Sequence, residues 1–359
     1  MDTEAELGIV KVKTVDPLSD KRWDEYIYNH PYGTIFHTSV WARTIIESYG
    51  YLSRYYIIED EAGQIRAAMP LYLVKSRLTG NRLVCLPFSD HCFPLVDNGI
   101  DIALLINSIK KEIKEGIASY LELKGWQNGI NVDRFDLVKR DYNLLYIINL
   151  GSSIDKFKKK LHHSVKRGIH QAEQRNVTVR MSYDETDLNQ FYKLHVKTRK
   201  KLGVLPQPYH FFKVLFRHII AQNLGFISLA ESEGKVIAGV IFLTYKDTIY
   251  YKFNASDERY LQKRPNHLIT WKSIQYAYAN NYQYFDYGRC TLEEEGLRVY
   301  KSRWGAMEIN LPYYYYPEVK GFTIVPESSL RYRTMNFISH VMPDSVFKMA
   351  GSLLYKHLA

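Results

Sequence analysis

Residues 285–306 read FDYGRCTLEEEGLRVYKSRWGA, and this run decides how the chain is to be read. Tyr282, Tyr284 and Tyr287 lead into it with period-two spacing. Asp286, Tyr287, Gly288 and Arg289 therefore read as a buried strand that ends where glycine lets the backbone turn tightly. Glu293, Glu294, Glu295 and Gly296 then read as an exposed acidic loop. The segment 299–306 returns with Lys301 and Arg303 set between Tyr300 and Trp304, a composition suited to an anionic or planar ligand. Taken alone, the run is equally an amphipathic hairpin with a solvated lysine.

Working outward, the segments 56–69 (YIIEDEAGQIRAAM) and 228–240 (SLAESEGKVIAGV) align nearly in register. Each reads as a β-hairpin: a short apolar strand, an acidic turn closed by glycine, then a strand that passes through small residues, Ala67-Ala68 or Ala238-Gly239. A helical stretch with aromatics lies upstream of each, 38–49 and 187–202. This is the signature of a duplicated α/β unit. In the second copy a strand over 248–255 leads through 257–264 to a helix over 266–280 and a strand over 282–287. The fold class is thus α/β (α+β), two tandem domains, each a mixed sheet flanked by helices. The expected boundaries are 1–150, 151–317 and a helical tail, 318–359, with the strand 144–150 closing the first domain.

Composition agrees with a folded soluble protein. The protein has 359 residues, 46% hydrophobic and 24% charged, enough for two domains. Its 30 tyrosines suit sheets and clefts that contact sugars or bases. Three cysteines, Cys85, Cys92 and Cys290, with no CxxC pair, argue against a disulfide framework or structural zinc and for a reduced, cytoplasmic setting. The acidic N-terminus does not read as a signal peptide, and no apolar run approaches a membrane span. A net charge of +10 favours polyanionic partners such as phosphates, nucleic acid or anionic lipid.

After Ser153, a plausible N-cap, residues 154–175 read as one basic helix. Ile154, Phe157, Leu161, Val165 and Ile169 mark its apolar stripe. Lys158, Lys159, His162, His163, Lys166, Arg167 and His170 form a cationic face, either solvated or turned to the phosphate of a nucleotide, tRNA or lipid headgroup. From Pro326 onward the tail reads as two apolar helices separated by Pro343, the second carrying Lys348, Lys356 and His357. That last helix covers a sheet edge or lies on an anionic membrane surface at the inner face of the plasma membrane.

The duplicated halves and the 285–306 run together resemble the FemAB-like branch of the GNAT acyltransferase superfamily. The family pattern D-[FY]-G-R, a loop, then [FY]-K-x-x-[WF]-G is matched by Asp286-Tyr287-Gly288-Arg289 and Tyr300-Lys301-Ser302-Arg303-Trp304-Gly305. Pro265-Asn266-His267-Leu268 and the R-x-I-x-x-A of Arg167 to Ala172 add to it, and the similarity runs over about 23–317. The long coiled-coil arm of the bridge-forming members is missing, so compact relatives tied to envelope or exopolysaccharide synthesis are the nearer match. The resemblance implies paired GNAT-like domains and N-acyl transfer. It also implies an acyl donor that is either acetyl-CoA (or another acyl-CoA) or aminoacyl-tRNA, with no tightly bound cofactor and no metal. The implied acceptor is an amine on a peptidoglycan, envelope or exopolysaccharide precursor, an anionic sugar nucleotide or lipid-linked molecule.

Acyl transfer to an amine needs a group to hold the oxyanion of the transition state. The resemblance places Lys301 in that role. It places Asp90, in the stretch Leu86-Pro87-Phe88-Ser89-Asp90-His91, on the acceptor side, although the same aspartate reads as a turn residue. Arg199 looks like the family's phosphate-binding arginine, and Tyr251 a substrate contact. Tyr300 and Trp304 flank the lysine, while Arg289 either binds a carboxylate or phosphate or pairs with nearby acids. The phosphate turn of CoA-using GNAT domains relies on glycine at a helix N-terminus. Here the turn reads Gln262-Lys263-Arg264-Pro265-Asn266-His267, without glycine and with one donor removed by proline. Lys263, Arg264 and Asn266 are its candidate phosphate ligands.

His162-His163 lacks metal spacing, and no GxSxG elbow, Walker loop or GxGxxG fingerprint stands in a fitting context. Two rivals to an enzyme remain on the sequence alone, an RNA- or tRNA-binding module that works through the basic helix and a non-catalytic envelope scaffold.

Overall fold

Each of the two glycine-closed hairpins lies within its own seven-stranded sheet. The computed structural model describes residues 11–125, 135–319 and 341–358. The chain starts with β1 (Val12–Val15), α1 (Arg22–Asn29), α2 (Ser39–Tyr49), β2 (Leu52–Glu59), β3 (Ile65–Val74) and β4 (Arg82–Cys85). It continues with α3 (Gly99–Lys114), β5 (Tyr120–Lys124), β6 (Val138–Arg140), β7 (Asn143–Asn149), α4 (Ile154–Lys160) and α5 (His163–Gln174). Next come β8 (Thr178–Ser182), α6 (Glu185–Lys201), α7 (Tyr209–His218), β9 (Gly225–Ser232), β10 (Lys235–Tyr245) and β11 (Thr248–Ser256). The last elements are α8 (Pro265–Ala279), β12 (Tyr284–Thr291), α9 (Glu295–Ser302), β13 (Met307–Asn310), β14 (Tyr313–Tyr316) and α10 (Asp344–Leu354).

The duplication extends to topology. The first sheet is ordered β1-β2-β3-β4-β5-β14-β6 and the second, read from the corresponding edge, β8-β9-β10-β11-β12-β7-β13. In each, the hairpin strands are antiparallel, Tyr56 opposite Met69 and Ser228 opposite Val240. In each, a long helix, α3 or α8, crosses to a single parallel neighbour, β4 to β5 or β11 to β12. Such a crossover is what a parallel pair requires.

The sixth place in each sheet explains why the expected boundary at 150 is displaced. The strand assigned to the first domain, β7, pairs Leu145 with Arg289 of β12 and Ile147 with Met307 of β13, so it belongs to the second sheet. In return β14 leaves the second half and pairs Tyr313 with Lys124 of β5. The first unit thus takes residues up to 142 and 311–319, and the second 143–310 and 341–358. The expected first tail helix falls on 326–341, nearly all of it outside the described residues.

Local chemistry accounts for several element ends. Thr38 caps α2 by accepting from Trp41 N at 3.3 Å, and Ser153 caps α4 by accepting from Lys156 N at 3.4 Å. The single basic helix expected over 154–175 is broken: Leu161 is extended (ψ 139°), and His162 caps α5 through Ser164 N at 3.3 Å. The break keeps Phe157, Leu161, Val165 and Ile169 all buried in one core with Trp271 and Trp304. The acidic run is also different. Glu294 turns the chain by accepting from Thr291 N at 2.7 Å, and α9 starts at Glu295, so 299–306 is a helix end and turn instead of a returning strand.

Candidate active site

In the second unit β11 and β12 pair only at Thr248/Tyr284, Ile249/Phe285 and Tyr250/Asp286, after which they part. The opening is made by Gly288. Its φ of +71° is left-handed, Asp286 Oδ1 accepts from its N–H at 2.7 Å, and the pairing of β12 with β7 slips between Asp286 and Arg289. This bulge delivers the carbonyls of Gly288 and Arg289 to one point. Lys301, in the last turn of α9, donates to both at 2.9 Å. Only 4% of Lys301 is exposed, so its ammonium depends on these oxygens and on the faces of Tyr146 and Tyr287, 5.4 and 5.8 Å away. The Cys290 thiol lies beside it; burial pushes that thiol up, and the Lys301 charge pulls it back in part.

An aromatic wall stands next to this ammonium. Tyr251 meets Tyr287 edge-on at 5.0 Å, Tyr287 meets Tyr300 at 6.1 Å, and Tyr300 meets His267 at 5.2 Å. Burial pushes the Tyr251 and Tyr287 phenols well up, so both stay protonated donors at neutral pH. Tyr251 accepts from Asn254, and Tyr287 shares a proton with Thr270 at 3.1 Å. Tyr300 Oη and Trp304 Nε1 are both buried, and the Tyr300 hydroxyl lies near those of Tyr287 and Thr270 and near Trp304. Trp304 itself is fully buried, which corrects its expected place on the rim: its ring is core and meets Tyr300 edge-on at 6.4 Å.

The phosphate turn is likewise rearranged. Lys263 is committed to Glu233 at 2.6 Å and Ser232 at 2.9 Å, so it closes the β9–β10 turn and is not poised at the head of α8. Asn266 accepts from Ser256 Oγ at 3.0 Å. Arg264 stays exposed; it holds a left-handed φ of +58° directly before Pro265 and reaches Gln171 at 3.4 Å. One cation of the expected set thus remains at a turn that supplies few backbone donors. Behind it, a Cβ added to Gly168 of α5 would stand 2.4 Å from the His267 ring, so α5 and α8 meet there in close contact. Burial, then the Arg264 charge, push the His267 imidazole down to about 4.

Arg199 and Arg289 converge on a residue that carried no sequence signal. Tyr355 follows α10 and is half-buried; its phenol feels Arg199, Arg289 and Gln207, which counter the rise that burial imposes. The helix is held there by Lys200 to Asp344 at 2.8 Å, by fully buried Phe347, and by Gly351, where an added Cβ would lie 2.4 Å from the Pro206 carbonyl. Gln207 also takes His195 Nε2 at 2.8 Å. Arg289 donates to Asn143 at 3.0 Å, while Asp286 Oδ1 accepts from Gly288 N at the bulge.

Beside α9 lies an open cleft of about 850 Å³ lined by Lys160, His162, Arg298, Ser302, Arg303 and Glu295. It adjoins the exposed cations of α4 and α5. In the first unit, Asp90 is half-buried in the loop after β4, and its carbonyl accepts from Tyr313 Oη at 3.4 Å.

Residues 159–302 match the acetyltransferase (GNAT) domain family model. The chain is 23% identical over 314 residues to a UDP-N-acetylmuramoylpentapeptide-lysine N(6)-alanyltransferase of Weissella viridescens, covering 80% of this chain and 89% of that one. Its fold is similar to the crystal structure of FemX, with a TM-score of 0.65 at 15% identity over 85% of this chain and 96% of the other. It is also similar to a tandem GNAT protein from the clavulanic acid biosynthesis pathway, with a TM-score of 0.54 at 8% identity over 85% and 98%. The C-terminal domain of a putative lysylphosphatidylglycerol synthetase from Agrobacterium fabrum gives 0.57 at 9% identity over 84% and 92%. Duplicated sheets, the parted β11–β12 pair and these likenesses agree: the fold is that of tandem GNAT-like proteins, and residues 159–302 carry the acetyltransferase (GNAT) domain pattern.

Proposed function

We propose that the protein transfers an aminoacyl group from aminoacyl-tRNA to an amine of a peptidoglycan precursor. The observation that carries this reading is the Lys301 ammonium, pinned by two carbonyls at the mouth of the parted strands. A cation fixed in a dry site before reaction needs no reorganisation when charge develops, which is where such groups act most strongly. In the proposed step the amine lone pair attacks the ester carbonyl and the oxyanion forms against Lys301. Collapse to the amide then expels the ribose hydroxyl of the tRNA, which takes up the proton the amine loses. Tyr300 Oη supplies a polar tip for the aminoacyl group. Asp90 is proposed as an acceptor-side carboxylate, and Arg199 and Arg289 as ligands for the acceptor's anionic groups.

Aminoacyl-tRNA is favoured over acyl-CoA by the turn before α8, where Lys263 is neutralised and Pro265 removes a donor. The Weissella relative is named for alanyl transfer to a UDP-linked muramoyl pentapeptide, which supports the same acceptor class. The cations of α4 and α5 are suited to the tRNA backbone. A cytoplasmic site of action follows from such substrates.

No helix among the described residues is long and apolar enough to cross a membrane. Contact with the membrane surface is proposed for α10, whose Val346, Met349 and Leu353 face outward at 40%, 58% and 61% exposure while Phe347 and Gly351 face inward.

The experiment supplies charged tRNAs and acetyl-CoA in parallel, with UDP-N-acetylmuramoyl pentapeptide as acceptor, and reads product mass. An aminoacylated pentapeptide is expected. Acetylated product with acetyl-CoA, and none with any aminoacyl-tRNA, would reverse the donor assignment.

A further inference from the structure

Sequence spacing separates Cys85 and Cys92 by a loop and gives no hint of a pair, yet the fold sets their sulfurs against each other. Cys85 closes β4 opposite Leu71, and Cys92 bridges to Lys124 of β5, its N–H donating to the Lys124 carbonyl at 2.9 Å. The two Sγ atoms are 2.7 Å apart, and Cys85 Sγ also lies 2.9 Å from the Cys92 carbonyl. Both residues are fully buried. A disulfide bond spans about 2.05 Å, so a small rotation of the side chains would bring the sulfurs to bonding distance.

The loop that the two cysteines bracket is already under constraint. Leu86 and Phe88 hold left-handed φ values of +36° and +63°, costly for residues with a Cβ. The Leu86 carbonyl gathers Ser89 Oγ at 2.6 Å, Ser89 N at 3.1 Å and the buried Lys124 Nζ at 3.3 Å. Asp90 rides on this loop. Near Cys92, His37 Nδ1 accepts from Thr34 N at 3.2 Å, which puts the ring proton on Nε2, 3.5 Å from Cys92 Sγ. That N–H lies nearer the Phe93 carbonyl, at 3.3 Å.

We propose that Cys85 and Cys92 are a reversible oxidation site, forming an intramolecular disulfide that fastens the loop carrying Asp90. The oxidant is a low-molecular-weight disulfide. One cysteine thiolate attacks it, releasing one small thiol and leaving a mixed disulfide; the second cysteine then attacks the protein sulfur and releases the other. Two protein thiols are oxidised by two electrons, one small disulfide is reduced to two thiols, and the two cysteine protons end on those thiols. Burial raises the Cys92 thiol well above its ordinary range, so exchange waits on loop opening and is slow. In a reducing compartment such a bond is transient and reports the redox state.

The test uses the full wild-type chain in glutathione buffers from fully reduced to fully oxidised, followed by acid quench, unfolding, alkylation and tryptic mass mapping. Cleavage after Arg82 and Lys110 leaves both cysteines in one peptide, while Cys290 falls in another. The expected result is a peptide 83–110 that loses both alkyl labels together as the buffer is oxidised and regains them with dithiothreitol, while Cys290 stays labelled. Cys92→Ser is expected to abolish the paired loss. Full labelling of both cysteines in oxidised buffer would overturn the proposal, and so would separate glutathione adducts on each without an internal bond. Neither outcome bears on transferase activity.

Discussion

Protonation of His267 gives a quantitative test of the packing that supports the site. Its ring is wedged between Gly168 of α5 and the Tyr300 and Trp304 rings, and burial lowers its pKa to about 4 from 6.5. The fold therefore favours the neutral ring. Stability from this group is complete above pH 6.5, falls as the unfolded chain takes up a proton that the folded chain refuses, and is lost by about pH 4. At 1.36 kcal/mol per pK unit the whole effect is on the order of 3 kcal/mol, with about 2.5 kcal/mol gone at pH 4.5. His267→Phe keeps a ring against Gly168 but cannot take the proton. Urea unfolding of both proteins at pH 7.5 and pH 4.5 isolates the contribution, because all other carboxylates and histidines titrate alike in the pair. The wild type is expected to lose about 2.5 kcal/mol relative to the variant on acidification. A difference between the two that stays constant across this range would refute the buried neutral imidazole and the packing of α5 on α8 built upon it.

Two further substitutions probe the same region. Gly168→Ala drives a methyl to 2.4 Å from the His267 ring and is expected to cost about 1–3 kcal/mol in urea unfolding; the gain of about 1 kcal/mol ordinary for Gly→Ala in a helix would contradict that contact. Arg264→Gly relieves a left-handed φ of +58° and is expected to stabilise by about 1 kcal/mol, while weakening aminoacyl-tRNA binding in a filter assay. A loss of stability would mean that the arginine side chain holds the turn.

Much of the architecture was legible because its signals are local. Period-two apolar runs closed by Gly63 and Gly234 marked both hairpins, and the stripe from Ile154 to Ile169 marked the buried face of α4 and α5. What escaped was set by distance along the chain. β7 is an ordinary apolar strand and β14 a run of four tyrosines, and only hydrogen bonding to β12 and β5 shows that each completes the other half's sheet. The helix α9 was hidden because it is eight residues long and opens with Glu295-Gly296, a pair typical of loops. The partners of the charged residues carried no sequence signal: Lys263 meets Glu233 across a hairpin turn, and Tyr355 reaches Arg199 and Arg289 from the far end of the sequence. Trp304 was misplaced for a related reason, since a tryptophan three residues after a charged one gives no sign of which side of the helix end it will bury.

The central claim is that the ammonium of Lys301 holds the oxyanion of aminoacyl transfer. The most direct measurement is single-turnover transfer by Lys301→Met, with unfolding followed in parallel because the same ammonium also satisfies the Gly288 and Arg289 carbonyls. Methionine keeps the stem and removes the charge. At a temperature where the variant remains folded, the transfer rate is expected to fall by about 10²-fold or more with aminoacyl-tRNA affinity unchanged. A folded Lys301→Met protein that transfers at the wild-type rate would contradict the account.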